Sequence, residues 1–377
     1  LAEQAGADAI DVSAYGNVGK SIAFTEAPLV HEPGGFLPFA KKAKAALSIP
    51  IIAVGRLELD QAEKGLAASD FDMVAMGRKL LADPELPGKV MADRTADIRP
   101  CIYCYICVSQ IFINQPLICA VNPRLGQEHR DDLIASAGQS KKIIVIGGGP
   151  GGMEAARVLA ERGHRVSLWE KDKDAGGTAR IAALAYEPNG RLIRWLHGQL
   201  KALPVELQFG KLATVEAIQA ENPDQVIVAT GAARTAPDIP GKNLPHVFDG
   251  DQMRGLLFGT DPVAMKKLPA YKQFMLFCAR HLQILRSIGL LRVLSHVWMP
   301  IKKKVVIIGG GLVGVELAEF LQERGRDITV LEPGANLAPE LSIVRRSRVI
   351  YMLREHGVAL HTGASSIEIK DSVVIFE

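Results

Sequence analysis

Four cysteines are the residues of this chain whose spacing most directly indicates chemistry. Cys101, Cys104 and Cys107 are each separated by two residues, and Cys119 follows after eleven more. Three thiolates on one short loop and a fourth from downstream can reach the corners of an iron–sulfur cubane. A zinc site usually takes two separated Cys-x-x-Cys pairs, and disulfides or plain core thiols are the remaining alternatives. The spacing predicts a 4Fe-4S cluster on these four residues.

A glycine-rich motif occurs twice further along the chain. Residues 141–152 read KKIIVIGGGPGG, and residues 303–314 read KKVVIIGGGLVG. Each copy follows an apolar run, opens a helical pattern, and meets an acid, Glu170 or Glu332, eighteen residues beyond its third glycine. This is the spacing with which a dinucleotide-binding fold places an acid on the ribose. Two such folds without ligands are the alternative.

The glycines have separate tasks in such a site. The first two permit a tight turn and close approach of a pyrophosphate to a helix N-terminus, and the third lets helix and strand pack. Two sites in series indicate FAD and a nicotinamide nucleotide, because a hydride given by one must be accepted by the other. The predicted cofactor-binding residues are Gly147, Gly149, Gly152, Glu170, Gly177, Thr230, Gly231, Gly309, Gly311, Gly314 and Glu332. No arginine follows Glu332 in residues 333–336 to hold a 2′-phosphate, which favours NADH and leaves NADPH open.

The first stretch of the chain alternates apolar strands, at 9–13, 51–55 and 72–77, with helical patterns at 38–47 and 59–67. Such alternation predicts parallel strands with helices outside them. Two of the strands end in Gly-Arg, at Gly55–Arg56 and Gly77–Arg78. In a (β/α)8 barrel the loops after the last strands commonly bind a phosphate, and an arginine can pair with it in bidentate fashion. Surface arginines after tight turns are the alternative.

Composition limits the class of protein. The chain has 377 residues, 36 glycines and a formal net charge of +3, which gives no reason to expect a nucleic-acid partner. No apolar run is long enough to predict a transmembrane helix. Five cysteines, four of them in one cluster, fit a reducing compartment, so we expect the cytoplasm. The expected partner is a small-molecule substrate, and a homo-oligomer is left open.

An insertion at 251–302 separates the two glycine-rich copies. Its residues 271–299 are apolar and aromatic, with Lys272, Arg280, Arg286 and Arg292 at intervals that could line one helical face. We predict a helical excursion packed on the domain interface as a half-buried helix pair, with a membrane-surface helix as the alternative. Cys278 within it is expected to be a buried thiol.

With these motifs in this order, the chain resembles the NADH:flavin oxidoreductases related to 2,4-dienoyl-CoA reductase and trimethylamine dehydrogenase. The resemblance is carried by AMGRKLLADP at 75–84, DIRPCI at 97–102, CAVNP at 119–123 and GGGLVGVELAE at 309–319. It implies FMN phosphate at Gly55, Arg56, Gly77 and Arg78, the cluster on the four cysteines, FAD in the first nucleotide fold and NAD(P)H in the second. The spacing between Cys104 and Cys107 is closer to the trimethylamine dehydrogenase branch.

The resemblance implies an NAD(P)H-dependent ene-reductase. Electrons would pass from NAD(P)H to FAD, to the cluster and to FMN, which reduces an activated C=C bond of a dienoyl-CoA or enoate type. The alternatives are an amine dehydrogenase with outward electron flow and a non-catalytic fragment. The catalytic residue is unassigned, because the chain has Tyr15-Gly16-Asn17 where one branch has a histidine; Tyr15 or His31 could occupy that position.

The predicted fold class is therefore α/β, with five successive parts. Residues 1–95 would be the last three β/α units of an FMN-binding TIM barrel, and 96–140 the 4Fe-4S loop and linker. Residues 141–250 would form a Rossmann-like FAD domain, 251–302 the helical insertion and 303–377 an incomplete Rossmann-like NAD(P)H domain. Because both ends look truncated and a barrel needs about 250 residues, we expect five barrel strands to be missing and this piece alone to bind FMN poorly.

Overall fold

The computed structural model describes residues 1–13, 33–133, 135–232, 236–258, 261–282 and 284–377. The chain folds as two compact units. The first contains Leu1–Gly126 and Pro339–Met352, and the second contains Gln127–Ala338 and Leu353–Glu377. Residues 339–352 thus group with the first unit, although they lie within the predicted 303–377 domain. The domain boundaries stay a prediction.

The first unit contains a three-stranded parallel sheet in the order β1-β2-β3. Its strands are β1 (Ile10–Val12), β2 (Ile51–Val54) and β3 (Met73–Ala75). Its helices are α1 (Leu37–Ala46), α2 (Leu59–Ala67), α3 (Gly77–Ala82), α4 (Leu86–Met91) and α5 (Ile106–Phe112). The predicted β/α alternation is confirmed here, since α1 and α2 lie between successive parallel strands.

Apolar periodicity positions this sheet. Ala40 of α1, Ile51 and Ala53 of β2, and the loop residues Leu57 and Phe71 form its core. The helix α2 begins with a capping box, in which Glu58 and Gln61 each accept a hydrogen bond from the other's backbone N–H. These contacts fix the loops that follow β2 and β3, where the two Gly-Arg pairs lie.

The second unit contains two parallel sheets and a small hairpin. The first sheet has the order β6-β5-β4-β7, and the second has the order β10-β9-β8. The strands are β4 (Lys142–Ile146), β5 (Arg165–Glu170), β6 (Val205–Phe209), β7 (Gln225–Val228), β8 (Lys304–Ile308), β9 (Asp327–Glu332), β10 (Ala359–Thr362), β11 (Glu368–Ile369) and β12 (Val374–Ile375). The strands β11 and β12 pair as an antiparallel hairpin. β4, rich in β-branched residues, lies between two neighbours and is buried at its centre, as a central parallel strand requires.

Helices connect these strands. Those of the first nucleotide fold are α6 (Pro150–Glu161), α7 (Thr178–Ala185), α8 (Pro188–Ala202) and α9 (Val215–Glu221). The second fold has α14 (Leu312–Gln322), whereas α15 (Ile343–Glu355) lies mostly in the first unit, which includes the chain up to Met352. Each glycine-rich motif joins a buried strand to a helix, as the sequence predicts.

The insertion is helical, as predicted, but it is not one continuous face. It forms α10 (Gly250–Phe258), α11 (Pro262–Lys266), α12 (Ala270–His281) and α13 (Ile288–Val297). Arg286 lies in a short 3-10 turn between α12 and α13, so the four spaced cations belong to three different elements. Cys278 is half-buried rather than buried. Among the described residues, none of the helices is long and apolar enough to cross a bilayer.

Candidate functional site: a four-cysteine cavity and two glycine-rich loops

The cysteine loop turns sharply at two aromatic residues. Tyr103 and Tyr105 adopt left-handed backbone conformations, with φ of 50° and 64°, and α5 begins directly after Tyr105. Such conformations are unfavourable for non-glycine residues and persist only where surrounding contacts fix them. Both tyrosines are buried and pack against Val344, which is fully buried. The turns let three cysteines from one short segment face a common space.

Two polar anchors hold the ends of this loop. Asp83, only 4% exposed, accepts hydrogen bonds from the backbone N–H of Arg99 at 2.8 Å and from Lys89 at 2.7 Å. At the other end, Asn122 donates its side-chain amide to the carbonyl of Leu81 at 2.9 Å. Both anchors connect the loop to the segment around α3. The motifs that precede and follow the cysteines are therefore joined physically.

All four predicted cluster ligands line one small cavity. The cavity is bounded by the cysteines, two tyrosines, apolar side chains and a single formally charged residue, Arg78. No disulfide forms among the cysteines. Within the described residues, however, no group of three or more His, Cys, Asp or Glu side chains is arranged to hold a metal ion. The four thiols therefore line one cavity, but they are not arranged around a common metal position.

Burial raises the pKa of three of the thiols, those of Cys101, Cys104 and Cys107. It raises the pKa of Cys101 to about 11, against smaller lowering effects from the Tyr103 backbone N–H and Arg78. Burial is also the main cause of the raised pKa of Cys104 and of Cys107, and the negative charge of neighbouring thiolates adds to it. Four thiolates could coexist here only with bound cationic charge. The donor set and its apolar walls therefore fit a metal cluster ligated by thiolates.

The arginines of both Gly-Arg pairs point at the cysteine loop. The Arg56 guanidinium lies 5.3 Å from the ring centre of Tyr103, and that of Arg78 lies 5.6 Å from the same ring and 4.6 Å from the ring of Tyr105. Both arginines are half-buried, and Nη1 of Arg78 is buried without a hydrogen-bond acceptor among the described residues. A buried guanidinium nitrogen of this kind is suited to an anionic ligand.

An ion pair between Glu58 and Lys79 lies beside Tyr103. The Tyr103 hydroxyl donates to Glu58 Oε1 at 3.2 Å, and Glu58 Oε2 forms a 2.7 Å ion pair with Lys79. The neighbouring Gly55 has φ of 127°, and Gly77 has open space where a Cβ would be. The loops after β2 and β3 thus combine exposed backbone with two cations, which is the arrangement the sequence predicts for a phosphate.

The two glycine-rich loops have the same geometry. Gly147 and Gly309 take φ of 109° and 104°, which favours glycine. A Cβ on Gly152 or Gly314 would lie 1.9 Å from the carbonyl oxygen of Gly147 or Gly309, so only glycine fits there. Gly149 caps α6 and has open space at its Cβ position, and Gly311 caps α14. In the first loop the middle position is therefore open, where a pyrophosphate would approach.

The two predicted ribose acids are also equivalent. Glu170 Oε2 accepts the backbone N–H of Gly148 at 2.6 Å, and Glu332 Oε2 accepts that of Gly310 at 2.6 Å. The second oxygen of each takes another backbone N–H, from Asp172 at 2.8 Å and from Gly334 at 2.6 Å. Each carboxylate oxygen keeps capacity for a further hydrogen bond. The acids hold the loops in place and remain competent to accept ribose hydroxyls.

The remaining predicted residues of the first copy adjoin its loop. A Cβ on Gly147 would lie 2.3 Å from the Ala229 carbonyl, so the turn at Thr230 and Gly231 follows directly beside it. A Cβ on Gly177 would lie 3.2 Å from the Cα of Gly149, which places Gly177 against the same loop. The structure therefore brings together all the residues predicted for the first dinucleotide site.

Several site residues were not found from the sequence. Tyr103, Tyr105, Glu58, Lys79 and Val344 surround or support the cysteine cavity. The tyrosines lie between predicted ligands and could have been noticed from their position. Val344 is distant in sequence, and nothing in the sequence indicates its contact. The candidate residues Tyr15 and His31 lie outside the described residues.

Comparison with known proteins identifies the class. The family model for pyridine nucleotide-disulphide oxidoreductases matches residues 141–375, and that for the NADH:flavin oxidoreductase / NADH oxidase family matches residues 19–97. The chain belongs to the flavin- and pyridine-nucleotide-dependent oxidoreductases that combine these two modules. The predicted family is thereby confirmed.

Individual relatives support the same class. The chain is 34% identical to a bilirubin reductase of Mediterraneibacter gnavus over 96% of its own length and 51% of the relative. It is 32% identical to a cinnamate reductase of Clostridium sporogenes over 87% of its length and 43% of the relative. A solved structure of 2-naphthoyl-CoA reductase superposes with a TM-score of 0.78 at 29% identity, covering 92% of this chain and 47% of the other. The chain thus spans about half the length of the curated relatives it matches, and the predicted class, part of a barrel flavoenzyme followed by nucleotide-binding folds, is confirmed.

Proposed function

We propose that this chain is part of a multicofactor oxidoreductase that uses NAD(P)H to reduce an activated C=C bond. The observation that carries the proposal is the position of Arg78. It belongs to the predicted FMN-phosphate motif and also lines the cavity of the four cysteines. One side chain thus adjoins both predicted cofactor sites, which suits electron transfer between them.

The proposal assigns four cofactors to the chain. Cys101, Cys104, Cys107 and Cys119 would hold a 4Fe-4S cluster, and the two Gly-Arg loops would hold the FMN phosphate. The loop beginning at Gly147 would hold FAD and that beginning at Gly309 would hold NADH, with NADPH as the second choice. When bound, these groups supply hydride transfer, single-electron transfer and hydride delivery to the substrate.

The protein residues supply binding and orientation. The helices α6 and α14 begin directly after Gly149 and Gly311, so their N-terminal N–H groups would face the charge of a bound pyrophosphate. Tyr103 and Tyr105 fix the orientation of the arginine side chains through stacking. Backbone N–H groups directed at the cysteine sulfurs, such as that of Tyr103 at 3.4 Å from Cys101 Sγ, would stabilise ligating thiolates.

The complete geometry of the second glycine-rich loop favours reduction over amine oxidation. Amine dehydrogenases also occur among the relatives. An enzyme that only exports electrons from an amine needs no nicotinamide site. Here Gly314 has the same close approach to a backbone carbonyl as Gly152, and Glu332 accepts a loop N–H as Glu170 does. The substrate class we propose is an enoate or enoyl thioester, in line with the names of the cinnamate and naphthoyl-CoA reductases. The free cysteines support a reducing cytoplasmic location.

The proposal is tested on the full-length protein purified without oxygen. Flavin and iron contents are measured first, and NADH is then added while the flavin absorbance is followed. We expect bleaching by NADH and recovery of the absorbance on addition of cinnamate or an enoyl thioester. Bleaching by trimethylamine but not by NADH would overturn the reductase assignment. Zinc without iron would overturn the cluster, and absence of all flavin would support a non-catalytic fragment.

A further inference from the structure

The outer side of the helical insertion carries large apolar side chains in contact with solvent. On and after α12, Tyr271, Phe274, Phe277 and Leu282 are 62%, 67%, 53% and 71% exposed. On α13, Val293 and Val297 are 65% and 85% exposed. We call these six residues the insertion patch. Tyr271, Phe274 and Phe277 are three residues apart on α12, and Val293 and Val297 are four apart on α13, so each helix carries an exposed apolar stripe; Leu282 follows the end of α12.

The insertion patch is separate from the core of the insertion. Leu256, Ala264, Leu268 and Leu276 form a separate buried cluster, against which Trp298 packs. The insertion is also fixed to the first nucleotide fold, because Arg286 pairs with Asp174 at 2.6 Å. The insertion patch is therefore left over after the inner side of the insertion has been packed. Large exposed apolar stripes of this kind mark interaction surfaces.

The charge of the same segment is one-sided. Residues 262–302 contain seven Lys or Arg residues and no Asp or Glu, although the whole chain has a net charge of only +3. Arg286 pairs with Asp174, while the ammonium groups of Lys267 and Lys272 donate to the backbone carbonyls of Val247 and Pro300. Lys266 is exposed at the end of α11, beside the start of α12. The segment thus combines exposed aromatic residues with a concentration of positive charge.

We propose that the insertion patch docks on a bilayer surface that contains anionic phospholipids. Aromatic and aliphatic side chains would enter the boundary between headgroups and acyl chains, and the lysines and arginines would contact lipid phosphates. Such a helix lies in the interface and needs no spanning length, which agrees with the 12 residues of α12. A second copy of this chain is a poor occupant, because two patches brought face to face would place like charges together.

The experiment is vesicle flotation with the full-length protein. Vesicles of phosphatidylcholine alone are compared with vesicles that also contain phosphatidylglycerol. We expect binding only to the phosphatidylglycerol vesicles and weaker binding as salt is raised. The variant Phe274→Glu/Phe277→Glu should reduce binding at least about tenfold. Its matched control is Leu212→Glu, which changes a side chain 65% exposed outside the insertion and should bind like the wild type.

A charge variant provides an independent test. Lys266→Glu should weaken binding about fivefold or more, whereas Lys42→Glu, exposed on α1, should not. NADH-driven bleaching and thermal unfolding of every variant establish that it is folded. Equal binding to both kinds of vesicle, no binding to either, or unchanged binding of both test variants would overturn the proposal. Self-association of the wild type that is lost in the double variant would assign the patch to a second copy instead.

Discussion

At the scale of single residues, the cysteine cavity contains predicted ligands and residues that support them. The four thiols are identical in type but differ in surroundings, since Cys107 is buried and the others are half-buried. Cys278 is also a free, half-buried thiol, and it lies outside the cavity. This fifth cysteine provides the control for any test of ligation.

We predict that Cys104→Ser removes the iron. Loss of one thiolate leaves the cluster without a corner ligand, and the wild-type content of about four iron atoms per chain should fall to a small fraction. Iron analysis and the visible absorbance of the anaerobically purified protein measure this. Cys278→Ser should retain full iron content, and equal loss in both variants would contradict the assignment.

The hydroxyl and the ring of Tyr103 make different contacts, and two variants can distinguish their effects. Tyr103→Phe removes the hydroxyl hydrogen bond to Glu58 but keeps the ring against both arginines, so we expect a loss of about 1 kcal/mol in the free energy of unfolding. Tyr103→Ala also removes the buried ring and should cost about 3–5 kcal/mol. Denaturant unfolding measures both variants. We further expect Tyr103→Ala, but not Tyr103→Phe, to lose FMN, because only alanine frees the arginines; equal FMN loss would indicate that the hydroxyl is the important group.

At the scale of elements, the two strand–loop–helix units share an equivalent backbone hydrogen bond. Gly176 N–H donates to the Gly148 carbonyl at 2.7 Å, and Ala338 N–H donates to the Gly310 carbonyl at 2.7 Å. The contact is kept although a glycine in one copy is replaced by alanine in the other. Such repetition at the level of backbone hydrogen bonds makes the loops separately testable.

The third glycine of each loop should tolerate no side chain. In Gly152→Ala or Gly314→Ala the new Cβ would meet a backbone carbonyl at 1.9 Å, so strand and helix must separate. We expect Gly152→Ala to lose FAD on purification. We expect Gly314→Ala to keep FAD and raise the KM for NADH at least about tenfold, by loss of roughly 1.4 kcal/mol of binding. Gly198→Ala in α8, where a Cβ meets nothing within 4 Å, should keep FAD and KM and gain about 0.5–1 kcal/mol in stability. FAD loss from both loop variants would show that the sites are not separable.

At the scale of the whole chain, the sequence predicts features that depend on neighbouring residues but not contacts between distant ones. Cysteine spacing, the glycine motifs and the strand and helix periods depend on neighbouring residues, so they predict α1, α2, β4 and β8 within a few residues. The stacking of Arg56 on Tyr103 joins residues far apart in the chain, and no period encodes it. The sequence predicts a helix pair in the insertion but does not locate the turn at Arg286, because apolar composition continues across it. Helix periodicity alone does not reveal where one helix ends and the next begins.

The contact of residues 339–352 with the cysteine loop is the longest-range feature of the first unit. The Ser342 hydroxyl donates to the carbonyl of Cys104 at 3.1 Å, and Val344 is fully buried against Tyr103 and Tyr105. A segment that follows the second glycine-rich motif thus packs against the loop that carries the predicted cluster ligands. The stability of the cluster should therefore depend on residues that cannot ligate it.

We predict that Val344→Ala accelerates iron release. The cavity left behind the two tyrosines should cost about 1–3 kcal/mol and loosen the loop that carries three of the ligands. Transfer of iron to a chelator from the anaerobic full-length protein should become on the order of tenfold faster, since each 1.4 kcal/mol is a factor of ten. Val349→Ala is the matched control, because Val349 is buried on the same helix but lies outside the cluster of Val344 and the tyrosines. It should lower stability to a similar degree while iron release stays at the wild-type rate. If both variants release iron equally fast, general loss of stability explains the effect, and the contact of Val344 with the cysteine loop has no special part in retaining the cluster.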